Sequence, residues 1–371
     1  MSADRIDAID LRLIESPIRS ARSHGSGHVK MAVRRVIVAI RTAQGLTGWG
    51  EAAPWAPFGN TAETALAALR HVLVPALIGG DPARIGARMA DCAATLAGHT
   101  DAKAALDMAL WDIAGKRLAA PLHVLLGGRV RDTIPLSFSI ADPDFAADLE
   151  RAQAMFAAGH RILKIKTGYL DHAEDLKRLE ALRGALPGLD LRVDYNQGLA
   201  PHDAIRRLRD VEAFAPTFIE QPVPRGQEAA LAAITAALDA PVLADESVTS
   251  PDEMLRAARD RFADSVSIKL MKCGGIGPAR AIDAIAAAAG MPSYGGTLWE
   301  GGIALAAAAN LLSTLPNCSL GCEFYMPSYA LVEDICPDVL RAGGGMIHVP
   351  DGPGLGVAVD LALLDAQTVT L

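Results

Sequence analysis

The chain lacks three features that mark large classes of proteins: long apolar runs, an excess of positive charge and a leader-like N-terminus. Its longest apolar runs, such as IALAAAA at 303–309, fall far short of the roughly 18 residues that a membrane-spanning helix needs. The net charge is -8, and the lysines and arginines are scattered along the chain. No basic start precedes an apolar stretch at the N-terminus. We therefore expect a cytoplasmic protein without a membrane or nucleic-acid partner.

The cysteines lack a pairing pattern. The chain has five of them, an odd number without short paired spacing, which is typical of a protein from a reducing compartment. Cys318 and Cys322 lie close together, but no histidine or second cysteine pair follows at zinc spacing. We interpret these two as small core residues.

The chain has the composition of a globular protein, and it is longer than the chains that a single hydrophobic core usually serves. Of its 371 residues, 51% are hydrophobic and 21% are charged. The first third predicts a small antiparallel sheet followed by helices, the first of which begins with Thr61 and Thr64 in capping positions. The predicted strands cover residues 4–14, 33–42 and 46–53, and the predicted helices cover 61–76, 82–96 and 100–118.

From about residue 134 a short β-rich run followed by a helix repeats along the chain. This alternation predicts parallel strands joined by right-handed crossovers. Eight such units predict a closed (β/α)8-type barrel, although the helix after the last strand is poorly marked. The runs cover residues 134–140, 161–167, 191–196, 216–222, 240–246, 265–270, 290–296 and 319–324.

The predicted fold is therefore α/β, a modified TIM barrel with an N-terminal α+β capping domain. We place the capping domain at residues 1–128 and the barrel at 129–336. The tail at 337–371 is rich in glycine and proline where it begins, and we expect it to return to the capping domain and complete it.

Charged residues stand at the ends of most predicted barrel strands, where the active sites of such barrels lie. Successive acids and lysines are separated by 24 to 28 residues, about one strand–helix unit. These charged side chains should therefore lie at the same height around the C-terminal opening of the barrel, which we call the mouth. The residues are Lys164, Lys166, Asp194, Glu220, Asp245, Lys269 and Glu323.

The three acids at consecutive strand ends, Asp194, Glu220 and Asp245, predict a metal site. They cannot all stay ionised in a confined cleft unless a cation neutralises them. All three acids supply hard oxygen ligands, which favours Mg²⁺ over zinc as the bound ion. Mn²⁺ is also possible. The alternative is that each acid only caps the loop or helix that follows it.

Lys166 and Lys269 belong to the second and sixth strands, so they should face each other across the acids. A substrate carboxylate on the metal would then present its α-carbon to a lysine on either side, as removal of an α-proton requires. We expect neighbouring Lys164, the metal ion and partial burial to lower the pKa of Lys166. The alternative is a solvated basic strand end.

The motifs at these positions resemble the enolase superfamily and, within it, the muconate lactonizing enzyme (muconate cycloisomerase) subgroup. The resemblance runs through GWGEAAPW, KIKTG, DYNQ, IEQP, ADES, SIKLMKCGGI, YGGTLWEGG, CEFYMPSY and PDGPGLG. It implies that Asp194, Glu220 and Asp245 bind the metal. It also implies that Lys166 and Lys269 are the acid/base pair and that Lys164 assists at the substrate carboxylate.

The resemblance further implies that loops of the capping domain, here about 18–29 and 53–60, close over the mouth and select the substrate. We therefore expect a set of substrate contacts around the mouth. For the aromatic residues the alternative is packing within the cap, and for His24 it is a solvated loop position. The expected contacts are Trp55, Phe58, His24, Asn196, Thr297, Glu323 and Phe324.

The eighth strand narrows the expected chemistry. Dipeptide epimerases of the subgroup carry Asp-x-Asp there to hold an ammonium, whereas this chain has Glu323, Phe324 and Tyr325. This favours a muconate cycloisomerase acting on a small carboxylate. A racemase, epimerase or dehydratase of an N-substituted or cyclic amino acid, or an o-succinylbenzoate synthase, stays open. Related enzymes are usually dimers or octamers, so we expect a homo-oligomer.

Two other classes of function are disfavoured by the sequence. The Gly-rich segment CGGIGPAR at 273–280 suggests a dehydrogenase. However, the third glycine of a dinucleotide-binding fingerprint and a ribose-binding acid are missing. A metal-binding scaffold protein would keep the three acids but has no need for lysines on both sides of them.

Overall fold

The computed structural model describes residues 4–25 and 27–370, and its first strands pair in antiparallel fashion. Residues 1–3, 26 and 371, which belong to the predicted cap, its first loop and the tail, lie outside the described residues. The strands are β1 (Ile6–Pro17), β2 (Arg22–His24), β3 (Gly27–Val29), β4 (Ala32–Thr42) and β5 (Thr47–Ala52). A sheet of order β1-β4-β5 forms because Val36, Val38 and Ile40 bury one face of β4. The short β2–β3 hairpin lies outside this sheet.

The helices of the cap begin with a confirmed capping box. The Thr61 side chain accepts from the backbone N–H of Thr64, and the Thr64 side chain accepts from that of Thr61. The predicted helix at 61–76 is interrupted by a π-helical turn, because Pro75 has no N–H with which to continue the hydrogen-bond ladder. The segments are a 3₁₀ turn (Ala56–Phe58), α1 (Ala62–Ala68), the π-helical turn (Leu69–Leu73), α2 (Val74–Leu77), α3 (Ile85–Thr95), α4 (Thr100–Arg117) and α5 (Leu122–Leu125).

The eight-stranded parallel barrel is confirmed. Its strands pair in chain order, and a parallel bridge between Leu136 and Cys322 joins the first strand's beginning to the last strand. The first predicted run is divided, because β6 (Thr133–Pro135) pairs with the tail and only β7 enters the barrel. The barrel strands are β7 (Ser137–Ile140), β8 (Ile162–Lys166), β9 (Asp190–Asp194), β10 (Phe218–Glu220), β11 (Val242–Ala244), β12 (Ser265–Ile268), β13 (Ser293–Gly296) and β14 (Cys322–Glu323).

Helices follow each of the first seven barrel strands and pack the main hydrophobic core against the barrel's outer face. The eighth strand is followed directly by the four-residue α14, which agrees with the weak helical pattern there. In the part of the chain that the structure describes, no helix has both the length and the apolar character that crossing a membrane requires. The helices are α6 (Phe145–Ala157), α7 (His172–Ala185), α8 (Pro201–Glu212), α9 (Glu228–Ala237), α10 (Pro251–Asp260), α11 (Leu270–Cys273), α12 (Ile276–Ala288), α13 (Gly302–Ser313) and α14 (Pro327–Ala330).

The C-terminal tail contacts both parts of the molecule. The hairpin of β15 (Arg341–Gly343) and β16 (Met346–His348) adds to β6 beside the barrel. The chain then passes through α15 (Leu361–Gln367) and returns to β1, where the backbone N–H of Val369 donates to the carbonyl of Leu13 at 2.8 Å. The limits of the domains at 128 and 336 stay predictions.

Two carboxylates of the capping domain provide the N-terminal caps of barrel helices. Asp107 of α4 accepts from the backbone N–H of Ile276 at 2.6 Å, at the start of α12. Glu51 of β5 accepts from the backbone N–H groups of Gly301 and Ala304, at 2.6 and 3.1 Å, at the start of α13. Neither helix has a capping side chain of its own. These contacts fix the cap against the barrel.

The glycine-rich turn that suggested a dehydrogenase is explained by one of these caps. Gly275 has φ of +119°, and a Cβ at this position would lie 2.5 Å from a carboxylate oxygen of Asp107. The glycine is therefore needed for the approach of Asp107. The start of α12 is occupied by this side chain, which leaves no place there for a phosphate.

We predict that Asp107→Ala lowers the free energy of unfolding by about 1–3 kcal/mol, because buried N–H groups at the start of α12 lose their acceptor. Urea denaturation measures the change. Asp107→Asn keeps an acceptor oxygen and should recover most of the loss. Asp260→Ala, which removes an exposed ion pair with Arg259, should change stability by less than about 0.5 kcal/mol. An equal loss in Asp260→Ala would contradict the assignment.

Candidate active site

The charged side chains predicted at the strand ends converge on the mouth of the barrel. Lys166 of β8 pairs in register with Asp194 of β9, which in turn pairs with Glu220 of β10. Asp245 and Lys269 directly follow β11 and β12, and Glu323 ends β14. None of these residues, Lys164 included, is more than 4% exposed. The equal spacing along the chain therefore corresponds to one height around the barrel.

The lysines and acids form one buried network. Lys164 Nζ lies 2.6 Å from Glu323 Oε2, 2.7 Å from Glu220 Oε2 and 2.9 Å from Asp194 Oδ2. Lys166 Nζ lies 2.5 Å from the same oxygen of Asp194. Lys164 is thus the common partner of three carboxylates from three strands.

Lys269 occupies the other side of the mouth. Its Nζ lies 2.5 Å from Asp245 Oδ2. Because β8 and β12 are four strands apart in a barrel of eight, Lys166 and Lys269 face each other across the carboxylates. This is the arrangement expected from the sequence.

The pKa shifts follow from burial and from these contacts. Burial alone would raise the pKa of Asp194, but Lys164 and Lys166 hold it below its ordinary value. For Glu220, burial and then the charge of Asp194 raise the pKa to about 7. Burial acts to lower the pKa of Lys166, but Asp194 and Glu323 outweigh it and raise the pKa. The expected lowering of the Lys166 pKa is therefore absent from this arrangement.

The carboxylates fit a hard divalent cation in donor chemistry, although they are not gathered around a common point. Among residues 4–25 and 27–370, no group of three or more His, Cys, Asp and Glu side chains is arranged to hold a metal ion. The ammonium groups of Lys164 and Lys269 lie against the carboxylates instead. Glu220 Oε2 is paired with Lys164, but Glu220 Oε1 is buried without a hydrogen bond or ion pair. One oxygen of Glu220 is therefore unused beside Asp194 and Asp245.

Three predicted contacts from the cap lie over the mouth. The His24 ring packs edge-on against Trp55 at a centroid distance of 5.3 Å, and Trp55 packs against Phe58 at 6.1 Å. The Phe58 ring centroid is 6.0 Å from Lys269 Nζ. Both ring nitrogens of His24 are buried without a hydrogen-bond partner. Burial, and then the charge of Lys166, lower the pKa of His24 well below its usual value.

The other predicted contacts differ in their placement. Asn196 lies at the mouth, where its backbone N–H donates to Asp194 at 2.8 Å. Thr297 Oγ1 donates to the carbonyl of Glu323 and accepts from the N–H of Tyr325, so it supports the end of the eighth strand. Phe324 is fully buried in the main hydrophobic core. Phe324 is therefore packed among core side chains, and its role as a substrate contact stays a prediction.

The structure adds residues that the sequence argument missed. Lys272 of α11 binds Asp245, and Arg22 of β2 lies over the ring of Tyr325 at 4.6 Å. Glu246 accepts from the side chain of Asn196 and is also buried. Signals were present for two of them, since Lys272 follows Lys269 by one helical turn and Glu246 directly follows Asp245. Arg22 is placed by the short β2–β3 hairpin, which no local pattern indicates.

We predict that Lys164→Met lowers the free energy of unfolding by about 3–5 kcal/mol near pH 7, because it leaves buried carboxylates without their counter-charge. Urea denaturation measures this in the absence of added metal.

The loss in the free energy of unfolding caused by Lys164→Met should become smaller as the pH is lowered from 7 to about 4.5. The pKa values of Asp194 and Glu323 are lowered in the folded protein, so the stability from their pairing is present above their unfolded pKa values and is lost as pH falls. In the variant, the unpaired acids protonate and the penalty is relieved. Lys177→Met, which removes an exposed pair with Glu174, is the control. A loss that is independent of pH would contradict the charge argument.

Comparison with known proteins gives matches over almost the whole chain. The N-terminal domain model of the mandelate racemase / muconate lactonizing enzyme family matches residues 8–127, and the enolase C-terminal domain-like model matches residues 147–363. Muconate cycloisomerase 1-2 of Acinetobacter lwoffii is 32% identical over 367 residues, which are 97% of this chain and 94% of that protein.

Two further relatives bear on the chemistry. L-Ala-D/L-Glu epimerase of Bacillus subtilis is 35% identical over 339 residues, 90% of this chain and 91% of that protein. The crystal structure of a muconate cycloisomerase from Azorhizobium caulinodans has a TM-score of 0.87 and 49% identity, and the match covers 99% of both chains. The relatives thus include both cycloisomerases and an epimerase.

Proposed function

Since the chain belongs to the mandelate racemase / muconate lactonizing enzyme family and is an isomerase of its muconate lactonizing subgroup, we propose that it is a muconate cycloisomerase of the cytoplasm. The pair of buried lysines, Lys166 and Lys269, on opposite sides of the three strand-end carboxylates supports proton transfer at an α-carbon. The observation that carries the choice of cycloisomerisation is the eighth strand, where Glu323 is paired with Lys164 and Tyr325 stands in place of a second acid. The 49% identity to a muconate cycloisomerase over 99% of both chains supports the choice of reaction.

Enzymes of this subgroup generally depend on a divalent metal ion, and we propose Mg²⁺, with Mn²⁺ as a substitute. Asp194, Glu220 and Asp245 would hold it. When bound, it would supply positive charge beside the substrate carboxylate, where negative charge develops during the reaction. The unpaired Oε1 of Glu220 and the absence of Cys and His from the set support a hard cation.

The lysines account for the proton transfer. In lactonization, an oxygen of one substrate carboxylate adds to the diene and forms a C–O bond, while the electron pair moves toward the other carboxylate as an enolate. Lys166 delivers a proton to the α-carbon, and Lys164 assists at the carboxylate. Lys269 lies on the opposite side and contributes positive charge there. The substrate is a small dicarboxylate.

The residues around the mouth favour an anionic substrate over one with a free ammonium group. Glu323 is already paired with Lys164 and Lys166, and no second acid stands at Tyr325. Arg22 stacks on Tyr325 and adds positive charge on that side. At the eighth strand an ammonium group would therefore lack an unpaired acid partner. His24, Trp55 and Phe58 cover the mouth and would limit the entry of water.

A second candidate is a racemase or epimerase of an N-substituted amino acid. It is favoured by one observation, the two lysines on opposite faces, because exchange of a proton with inversion needs one group on each side. The epimerase among the relatives is consistent with it.

We predict that the wild-type protein with Mg²⁺ removes the diene absorbance of cis,cis-muconate and that Lys166→Ala lowers kcat by about 10²- to 10⁴-fold through loss of the proton donor. Absorbance assays measure both. Lys177→Ala, an exposed lysine on α7, should have wild-type activity.

Two results would contradict the proposed reaction or the proposed proton donor. If muconate is unchanged while an N-acyl amino acid takes up solvent deuterium with inversion at its α-carbon, cycloisomerisation is wrong and the second candidate is supported. If Lys166→Ala has wild-type kcat on muconate, the assignment of the proton donor is wrong.

A further inference from the structure

Lys272 is a fourth buried lysine at the mouth, and its ammonium group makes two contacts with one residue, Asp245. The short helix α11 begins directly after β12, and its first turn brings Lys272 beneath the same carboxylate that Lys269 reaches. Lys272 Nζ lies 2.8 Å from Asp245 Oδ1 and 2.7 Å from the backbone carbonyl oxygen of Asp245. The side chain has no exposure to solvent. Lys272 therefore holds both the main chain and the side chain of one residue.

This contact distinguishes the two oxygens of Asp245. Oδ1 is bound to Lys272, whereas Oδ2 is bound to Lys269 at 2.5 Å. Lys269 belongs to the face-to-face lysine pair of the mouth, and Lys272 does not. An ion at the carboxylate cluster therefore has access to Oδ2 by displacing Lys269, while Oδ1 remains bound to Lys272.

Charge balance alone does not explain a second ammonium group at Asp245. Lys269 already neutralises this carboxylate, and burying a further ammonium group costs several kcal/mol before its contacts are counted. Lys272 also binds a backbone carbonyl, which carries no net charge. Its contacts instead fix the orientation of the Asp245 side chain.

We propose that Lys272 is a positioning residue that sets the metal preference of the site by reserving one oxygen of Asp245. The inference rests on the proposed role of Asp245 as a metal ligand. Ca²⁺ takes six to eight oxygens and often binds both oxygens of a carboxylate, whereas Mg²⁺ takes fewer ligands in a tight octahedron. Restricting Asp245 to a single available oxygen disfavours Ca²⁺. Groups that orient metal ligands commonly change metal affinity by 10- to 100-fold.

The test is the ratio of Mg²⁺ to Ca²⁺ affinity in Lys272→Met, measured by calorimetric titration of the metal-free, full-length protein. We expect this ratio to fall by about tenfold or more relative to wild type. The ratio is the informative quantity, because loss of one positive charge raises the affinity for both divalent ions by a similar factor. Lys272→Arg, which keeps the charge and the donors, should recover part of the preference.

Lys116→Met is a matched control. Lys116 Nζ also binds one carboxylate oxygen and one backbone carbonyl, Asp112 Oδ2 at 2.7 Å and Thr47 O at 2.8 Å, but it lies in the capping domain away from the mouth. This variant should have the wild-type Mg²⁺ to Ca²⁺ ratio. If Lys272→Met does not fold, Lys272→Gln, whose shorter side chain cannot make both contacts, has the same expected result.

Asp245→Asn separates failure of this inference from failure of the proposed metal site. If Asp245→Asn loses affinity for both ions and Lys272→Met keeps the wild-type ratio, Lys272 has no role in metal preference and the inference is wrong. If Asp245→Asn binds both ions as wild type does, the proposed ligand set is wrong, and the inference fails with it. A fall in the ratio for Lys272→Met together with lost binding in Asp245→Asn supports both.

Discussion

The buried lysine–carboxylate network at the mouth of the barrel is the interaction on which the rest of the structure depends. Lys164 alone approaches carboxylates from β9, β10 and β14 within 2.9 Å. Each of these charges would be costly in a solvent-excluded interior without its partner. The barrel makes the network possible because parallel strands bring residues from distant parts of the sequence to one height. Fold and chemistry are thus coupled through the register of the strands.

The capping domain completes the site by excluding water from this network. Asp107 and Glu51 cap barrel helices α12 and α13, and in doing so they hold the cap in a fixed position over the mouth. His24 and Trp55 then lie above the lysines. A solvent-excluded mouth strengthens the electrostatic effects of every charge inside it. The residues that hold the domains together therefore also contribute to the environment of the reaction.

Most of the fold and the charged part of the site could be predicted from the sequence. Each of Asp194, Glu220 and Asp245 follows the previous one by about one strand–helix unit. This spacing alone predicts that the three carboxylates lie at the same end of the barrel. The remaining features depend on packing between distant segments. Phe324 was predicted as a substrate contact and packs among core side chains. The pKa of Lys166 is raised because Asp194 and then Glu323, which belong to other strands, outweigh the effect of burial. The division of the first run into β6 and β7 depends on pairing with the tail.

Lys164, whose contacts the sequence did not indicate, and Lys272, which the sequence argument missed, both hold carboxylates of the mouth. Lys164 contacts three acids, and Lys272 binds Asp245 from below. Local patterns indicate which face of a strand a lysine occupies, but they do not indicate how many carboxylates it meets. That number is set by the closure of the barrel.

The central claim is that the carboxylates of Asp194, Glu220 and Asp245 share one divalent ion between the two facing lysines. Anomalous diffraction from crystals grown with Mn²⁺ tests it most directly. We expect one strong peak bounded by these three carboxylates, with the ammonium groups of Lys164 and Lys269 moved away from them. A peak at another position, or none at the mouth while the lysines keep their present contacts, would contradict the account.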